Sequence, residues 1–319
     1  MTPHEHKRIA DWKTKIKNPQ DVRLVLVNGS RNRDIQSFCE TVGAALALPV
    51  RREQTEDQMP GIVVNERITY HALPLGPELE PFLNALILNS IPANPKLETV
   101  KQLTVPSFLT LYITPQCPFC PAVVEQLLPL VNASHLIQLS IIDGTMFPEM
   151  AVRDEIQSAP TLVFDTFRWT GRIDAQEIAG IIQNQDPLNL SANSLRDIIQ
   201  NGDASRVAGM MMERNVLFPA FFDLLVHEKW PVRLGAMVVM EEIIDSAPEL
   251  ALTMVPPLLD RFGSLIEQVK GDMVYLMGEA GDRATMTELE AMLPDVEGPE
   301  LQAVIQEAIG SIRKRYEMG

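Results

Sequence analysis

Two of the three cysteines form a Cys-x-x-Cys tetrapeptide, Cys117-Pro118-Phe119-Cys120. Three cysteines are too few for a disulfide scaffold, and paired thiols at this spacing are typical of reversible thiol–disulfide exchange. Zinc normally needs four ligands, and the sequence offers neither a second cysteine pair nor a nearby histidine, so we expect no metal. The pair is therefore predicted to be redox-active. Cys39 lies within a helical pattern among apolar residues and is expected to be buried and unreactive.

The elements around the tetrapeptide suit this chemistry. The pattern predicts a strand at Ser107–Ile113, followed by a helix at Pro118–Val131 that begins inside the motif. Pro118 suits a first helical turn because no amide donor is needed there. Unpaired amides and the dipole at a helix N-terminus favour a thiolate. We expect Cys117 to be partly exposed and nucleophilic, and Cys120, one turn later, to face inward and resolve the mixed disulfide.

The same order of elements occurs twice in the first 185 residues. In each copy a strand and a helix are followed by another strand, a proline, two short strands and a closing helix, which indicates an internal duplication. Met59-Pro60-Gly61 in the first copy aligns with Ala159-Pro160-Thr161 in the second. The predicted elements are Arg23–Val27, Asp34–Leu46, Leu48–Arg51, Ile62–Asn65, Ile68–His71 and Gly76–Leu88, then Ser107–Ile113, Pro118–Val131, Leu136–Ile142, Phe147–Gln157, Thr161–Phe164, Arg168–Ile173 and Ala175–Gln183.

Beyond residue 193 the pattern is helical throughout. Similar helices begin at Val232-Arg233, Val269-Lys270 and Leu301-Gln302, which indicates a repeating helix pair. This pattern resembles HEAT repeats over roughly residues 203–315. The predicted helices are Leu195–Gln200, Ala204–Glu213, Pro219–His227, Pro231–Asp245, Ala251–Phe262, Leu265–Met277, Met286–Leu293 and Leu301–Arg315.

The motifs of residues 107–183 resemble the thioredoxin/glutaredoxin fold. The stretch 21–183 is similar to the tandem thioredoxin folds of archaeal protein disulfide oxidoreductases and of the N-terminal domain of the alkyl hydroperoxide reductase flavoprotein. This likeness is carried by Cys-x-x-Cys-Pro before Val123-Val124, by Ile142-Asp143-Gly144-Thr145 with Phe147, and by Leu73-Pro74-Leu75-Gly76. In that family only the second fold keeps the cysteines. Here Arg31 and Asp34 stand where the first pair would be.

The resemblance implies a role for the loop at Pro160. Its Ala159–Pro160 bond would be cis and would face the first cysteine, and the backbone of Ala159 would pair with an extended substrate chain. Pro118 and Phe119 would join Ala159 in binding the substrate. Met59–Pro60 of the first copy is expected to keep a cis bond as well.

Departures from the family pattern narrow the prediction. Residues 165–174 carry one glycine instead of the glutathione-binding stretch of glutaredoxins, which argues against a glutathione site. Thioredoxins bury an acid on the strand before the motif, but here Leu111 stands there. The proton of Cys120 must then go to Tyr112, to Glu125 or to an acid of the first copy.

The sequence also predicts that electrons come from outside the chain. No G-x-G-x-x-G fingerprint for a flavin or nicotinamide occurs, so we expect no bound cofactor beyond the Cys117–Cys120 disulfide. A separate donor, such as a flavin-dependent reductase, would supply reducing equivalents. The client would be a protein disulfide, with a peroxiredoxin-type protein among the candidates.

Composition limits the other function classes. The 319-residue chain has a net charge of −15, which disfavours nucleic acid and anionic membranes as partners. Its start is polar and lacks a secretory h-region, and no apolar run is long enough for a membrane span, so we expect a cytoplasmic protein.

We therefore predict an α/β plus all-α architecture. It comprises a polar leader with one short helix (1–20), a thioredoxin-like domain without cysteines (21–95), a thioredoxin/glutaredoxin-like domain with the motif (96–185) and a HEAT-like helical domain (192–319). The predicted activity is thiol–disulfide exchange with a protein client. The alternative is a redox-sensitive adaptor, in which the helical domain binds a partner and the cysteines sense oxidation.

Overall fold

The chain divides into two compact units, Met1–Gln185 and Asp186–Gly319. The computed structural model describes residues 1–16, 24–28, 33–54, 59–91, 94–171, 173–296 and 298–317. Arg31, predicted to stand in place of a first-copy cysteine, lies outside these ranges. Asp34 lies in the first turn of a helix.

The described part of the first unit contains eight strands, β1 (Leu24–Asn28), β2 (Val50–Gln54), β3 (Gly61–Val64), β4 (Ile68–His71), β5 (Ser107–Ile113), β6 (Ile137–Asp143), β7 (Thr161–Phe164) and β8 (Phe167–Thr170). They form one sheet in the order β2-β1-β3-β4-β6-β5-β7-β8. The halves meet where β4 pairs with β6 in parallel, with Tyr70 opposite Ile141.

The described part of this unit contains six α-helices. They are α1 (Pro3–Trp12), α2 (Arg33–Leu46), α3 (Leu79–Leu86), α4 (Cys120–Ala133), α5 (Pro148–Arg153) and α6 (Ala175–Gln183). The halves share one strand order, β2-β1-β3-β4 and β6-β5-β7-β8, and each ends in a helix. This shared topology confirms the predicted repeat, and each half is a thioredoxin-like fold.

The segment predicted as a polar leader contributes to the core. Its helix α1 is capped by Thr2, whose side chain accepts from the Glu5 amide, in a capping box that Glu5 completes. Ile9 is fully buried and Trp12 nearly so, within the main core of the unit. Because only one face of this short helix is apolar, its overall composition reads as polar while the buried face anchors it.

The described part of the second unit consists of α-helices and two short 3-10 turns, Pro187–Asn189 before the first helix and Leu293–Asp295 between the last two. The predicted helix Ala251–Phe262 is divided into α11 (Pro248–Leu252) and α12 (Val255–Phe262), since Pro256 and Pro257 favour a new helix start there. The helices are α7 (Ala192–Gln200), α8 (Ala204–Arg214), α9 (Phe221–Leu225), α10 (Trp230–Ser246), α11 (Pro248–Leu252), α12 (Val255–Phe262), α13 (Glu267–Ala280), α14 (Arg283–Met292) and α15 (Pro299–Glu317). The HEAT-repeat likeness of this unit stays a prediction.

A buried ion pair joins two long helices of this unit. Arg233 of α10 donates to the Asp272 carboxylate of α13 over 2.5 Å and to the His227 carbonyl over 2.6 Å. Arg233 is almost completely buried. A buried guanidinium needs such partners, because leaving it unpaired costs several kcal/mol.

No helix in the described part of the chain is long and apolar enough to cross a bilayer. Among the described residues, Ala159–Pro160 is the single cis peptide bond. The expectation of a second cis bond at Met59–Pro60 is therefore wrong.

Candidate redox-active site

Cys117 and Cys120 are joined by a disulfide, with their Cα atoms 5.5 Å apart. Cys120 is the first residue of α4, so the helix begins two residues later than predicted and Pro118 lies in the preceding turn. The Cys120 amide donates to Cys117 Sγ over 3.1 Å. In the reduced protein this donor and the helix dipole stabilise negative charge on Cys117.

The two sulfurs differ in their access to solvent. Cys120 is completely buried, whereas Cys117 retains 9% of its surface in the disulfide state. Cys117 is thus less exposed than predicted, because the turn before α4 and the Ala159 loop cover it. Phe119, by contrast, is 68% exposed and stands beside the pair.

The loop before β7 faces Cys117. Its sulfur lies 3.5 Å from the carbonyl oxygen of Ala159. The Pro160 carbonyl accepts from the Gly171 amide over 2.9 Å, which ties the loop to the end of β8. The structure therefore brings Cys117, Cys120, Ala159 and Pro160 together at one end of the sheet, with Pro118 and Phe119 exposed at its rim.

A buried carboxyl group lies in the turn that precedes α3. Glu78 ends the short 3-10 turn Gly76–Glu78, and its residue is only 4% exposed. Neither of its carboxylate oxygens has a hydrogen-bond partner among the described residues. Burial, and secondarily the negative Asp143, raise the pKa of Glu78 to about 7. Such an unpaired ionisable group is a candidate functional residue.

Helix packing places Glu78 near the start of α4. Asn84 of α3 donates to Glu125 of α4 over 2.5 Å, and Asn132 at the end of α4 donates to the Ile91 carbonyl over 3.1 Å. The bond from α3 reaches the middle of α4, and the bond from the segment after α3 reaches the end of α4. The two helices therefore run side by side in the same direction. The turn that precedes α3 also contacts α4. Glu78 therefore lies toward the N-terminal end of α4, where Cys120 is.

The two named candidates for accepting the Cys120 proton have other partners. The Tyr112 hydroxyl donates to Asp154 over 2.5 Å and to the Met150 carbonyl over 3.2 Å. Tyr112 belongs to a small cluster separate from the core that contains Cys120. Burial and Asp154 raise the pKa of Tyr112. Glu125 accepts from Asn84. The third alternative, an acid of the first copy, has a structural counterpart in Glu78.

Sequence reasoning did not single out Glu78. Only Pro77 separates Glu78 from the Leu73-Pro74-Leu75-Gly76 motif, so this motif was the feature of the sequence that could have pointed to Glu78. A lone glutamate before an amphipathic helix normally indicates a solvated N-terminus, and its burial depends on packing between the two copies.

Cys39 and a metal site were the other candidates for chemistry. Cys39 is fully buried, and burial raises the pKa of its thiol to about 12, which makes it unreactive. Within the described ranges, no three or more histidine, cysteine or acidic side chains converge as a metal site requires.

No protein-family model and no curated protein matches the chain. Among solved structures, the NTD_N/C domain of alkylhydroperoxide reductase AhpF from Enterococcus faecalis is similar at 16% identity and a TM-score of 0.48, covering 57% of this chain and 99% of that chain. A protein disulfide oxidoreductase from Aeropyrum pernix is similar at 12% identity and a TM-score of 0.46, covering 57% and 92%. The protein Sso1120 from Sulfolobus solfataricus is similar at 24% identity and a TM-score of 0.40, covering 51% and 96%.

Proposed function

We propose that this protein is a thiol–disulfide oxidoreductase that reduces or exchanges a disulfide in a protein client. The observation that carries the proposal is the Cys117–Cys120 pair at the N-terminus of α4. Its outer sulfur faces the Ala159 carbonyl, and its inner sulfur is buried. A structural disulfide needs no such asymmetry, whereas exchange requires one accessible nucleophile and one sheltered resolving thiol.

The reaction proceeds in two thiol–disulfide exchange steps. The Cys117 thiolate attacks one sulfur of the client disulfide, which forms a Cys117–client bond and releases the first client thiolate. Cys120 then attacks Cys117 Sγ, which forms the Cys117–Cys120 disulfide and releases the second client thiolate. The client gains two electrons and the cysteine pair loses two, while the protons of the pair pass to the client thiolates through solvent and Glu78.

Glu78 is proposed to accept the proton of Cys120. A general base works best when its pKa lies near the working pH, and burial brings the pKa of Glu78 to about 7. Its free oxygens can take a proton without breaking an existing hydrogen bond, since neither has a partner among the described residues.

The client is proposed to bind as an extended strand against the Ala159 backbone, with Phe119 and Pro118 as apolar contacts. A peroxiredoxin-type protein is one candidate client. Reducing equivalents would come from a separate donor such as a flavin-dependent reductase, without a bound cofactor. We place the reaction in the cytoplasm, where dithiols are kept reduced, and assign client selection to the HEAT-like unit.

One observation favours a second function, the redox-sensitive adaptor. Trp230, Leu234 and Val238 of α10 are all exposed and are four residues apart. This spacing places them on one face of the helix, and an exposed apolar stripe marks a surface that can bind a partner. In an adaptor, the affinity of this surface would change with the state of the Cys117–Cys120 pair.

The reduction potential and turnover separate the two functions. We would equilibrate the protein in dithiol and glutathione buffers and count free thiols by alkylation mass shift. Exchange predicts a reversible couple in the range of roughly −200 to −300 mV. It further predicts that Cys117→Ser abolishes protein-disulfide reduction, that Cys120→Ser accumulates mixed disulfides, and that the control Cys39→Ser changes neither. A pair that never oxidises in this range, or a Cys117→Ser variant that retains turnover, contradicts the proposal.

A further inference from the structure

The Gly76–Glu78 turn is hydrogen-bonded to a residue of the N-terminal helix α1. Glu5 of α1 accepts a hydrogen bond from the Gly76 amide through Oε1 over 2.7 Å. Its other oxygen accepts from the Thr2 amide over 2.6 Å. Glu5 is nearly buried, and these backbone donors lower the pKa of its carboxyl group. The carboxylate therefore bridges the start of α1 and the start of the Gly76–Glu78 turn, which are 71 residues apart.

The backbone hydrogen bonds of this turn are local. Gly76 adopts a left-handed conformation with φ of 58°, and a side chain built there would meet no atom within 4 Å. The described backbone bonds of the turn are local, from Leu75 to the Leu73 carbonyl and from Glu78 to the Leu75 carbonyl. Apart from its packing against α3 and α4, the turn is therefore joined to a distant segment by the hydrogen bond to Glu5.

We propose that Glu5 is a positioning residue, which anchors the Gly76–Glu78 turn and thereby holds the Glu78 carboxylate beside Cys120. The inference rests on the proposed function, because it assumes that Glu78 takes the Cys120 proton. Without the Glu5 contact the turn moves toward solvent, Glu78 becomes hydrated, and Cys120 loses its proton acceptor. Glu5 itself takes no part in the thiol–disulfide exchange steps.

The surroundings of Glu78 allow the effect to be isolated. The groups that face it are Asp143 at the end of β6, which raises the pKa of Glu78, and Tyr70 on β4. Burial, Glu78 and Glu125 of α4 raise the pKa of Tyr70. None of these groups contacts Glu5 in the hydrogen bonds of the described residues. A change at Glu5 therefore alters the position of Glu78 without altering its other neighbours directly.

The resolving step can be followed separately from the first attack. Reduced protein is mixed with the aromatic disulfide 5,5′-dithiobis(2-nitrobenzoic acid) in a stopped-flow instrument. The first coloured thiolate reports attack by Cys117, and the second reports attack by Cys120 on the mixed disulfide. Cys39 is buried and silent, which a Cys117→Ser/Cys120→Ser double variant checks. Both rates are recorded from pH 5 to 10.

We expect the second rate of the wild type to rise with a midpoint near pH 7. Glu5→Ala should reproduce the profile of Glu78→Gln, with this midpoint lost and the rate at pH 7 at least ten-fold lower. An ordinary thiol with a pKa of about 8.5 is only about 3% ionised at pH 7. Without a general base, the attack by Cys120 depends on this small thiolate fraction and is slow. Glu5→Gln should keep the wild-type pH profile of the second rate, because its amide oxygen can still accept from the Gly76 amide.

A matched control separates positioning from simple loss of α1. Arg8 of α1 forms an ion pair with Glu80 of α3 over 2.5 Å, which does not involve the residues of the turn. Arg8→Ala should therefore keep the midpoint near pH 7, even if its melting temperature falls as far as that of Glu5→Ala. If Glu5→Ala does not fold, Glu5→Asp decides, since it keeps the charge but is too short by one methylene to reach Gly76.

The outcomes separate the two levels of the proposal. A wild-type protein that never releases the second thiolate overturns the exchange function and the inference together. A Glu78→Gln variant with the wild-type midpoint removes Glu78 and Glu5 from the reaction but leaves exchange in place. If only Glu5→Ala keeps the wild-type midpoint, or if Arg8→Ala loses it equally, the positioning role of Glu5 alone is wrong.

Discussion

Replacing Glu78 with glutamine should stabilise the first unit, and only above acidic pH. The pKa of Glu78 is raised from 4.5 to about 7 by burial. A carboxyl group with a raised folded-state pKa contributes no penalty below its unfolded pKa, where it is neutral in both states. As the pH rises through 4.5 toward 7, the unfolded chain ionises first, and the folded state loses stability relative to it.

The size of the effect follows from that shift. A pKa difference of about 2.5 at about 1.4 kcal/mol each amounts to about 3 kcal/mol at pH 8. Solvent screening removes little of this, because Glu78 is only 4% exposed. Glutamine occupies the same volume and cannot ionise. We therefore expect the variant to match the wild type near pH 4 and to exceed it by about 3 kcal/mol at pH 8.

Urea denaturation of the oxidised protein at a series of pH values measures this difference. Trp230→Phe in both proteins leaves Trp12 and Trp169 as the fluorescent reporters, both in the first unit. Subtracting the two curves cancels every other titrating group. A difference in unfolding free energy that stays constant from pH 4 to 8 would refute the assignment of Glu78 as a buried carboxyl with a raised pKa.

Three further predictions concern other parts of the molecule. Arg233→Met should destabilise the second unit by about 3 kcal/mol in urea denaturation, because it removes the partner of Asp272 and of two backbone carbonyls. Arg261→Met, which breaks an exposed ion pair, should cost less than about 1 kcal/mol, and equal effects would contradict the role of burial. Ile9→Ala should cost the first unit about 3 kcal/mol, since its side chain is fully buried; no loss would mean that α1 is not part of the core. Phe119→Ala should leave the melting temperature and the reaction with the small aromatic disulfide unchanged but slow protein-disulfide reduction several-fold, and an equal loss with both substrates would assign Phe119 to the chemistry instead.

Local features of the sequence predicted much of the site. The Cys-x-x-Cys spacing, a preceding apolar strand and a following helical pattern are all set within about 25 residues. Such short-range features determine where a helix begins and which cysteine lies at its end. Burial of Cys120 followed from the same periodicity, and the repeated order of elements followed from comparing two stretches of one chain. The partial exposure expected for Cys117 did not follow, because a loop about 40 residues later covers it.

Features that join distant segments required the tertiary structure. The pairing of β4 with β6, which merges both copies into one sheet, depends on a register that alternating hydrophobicity does not encode across copies. From its residue type alone, Glu78 would be expected at the surface. It becomes a buried acid without a hydrogen-bond partner among the described residues only when α3 packs along α4.

The role of α1 shows the same division. Its capping box and one apolar face could be read from the residues, but its target could not. The Glu5 carboxylate reaches Gly76 across 71 residues of chain. The sequence by itself therefore determined the redox pair and the elements that present it. The tertiary structure decided that Glu78 is buried without a partner among the described residues and that Glu5 bonds to Gly76, because burial and electrostatic environment arise only from contacts between segments far apart in the chain.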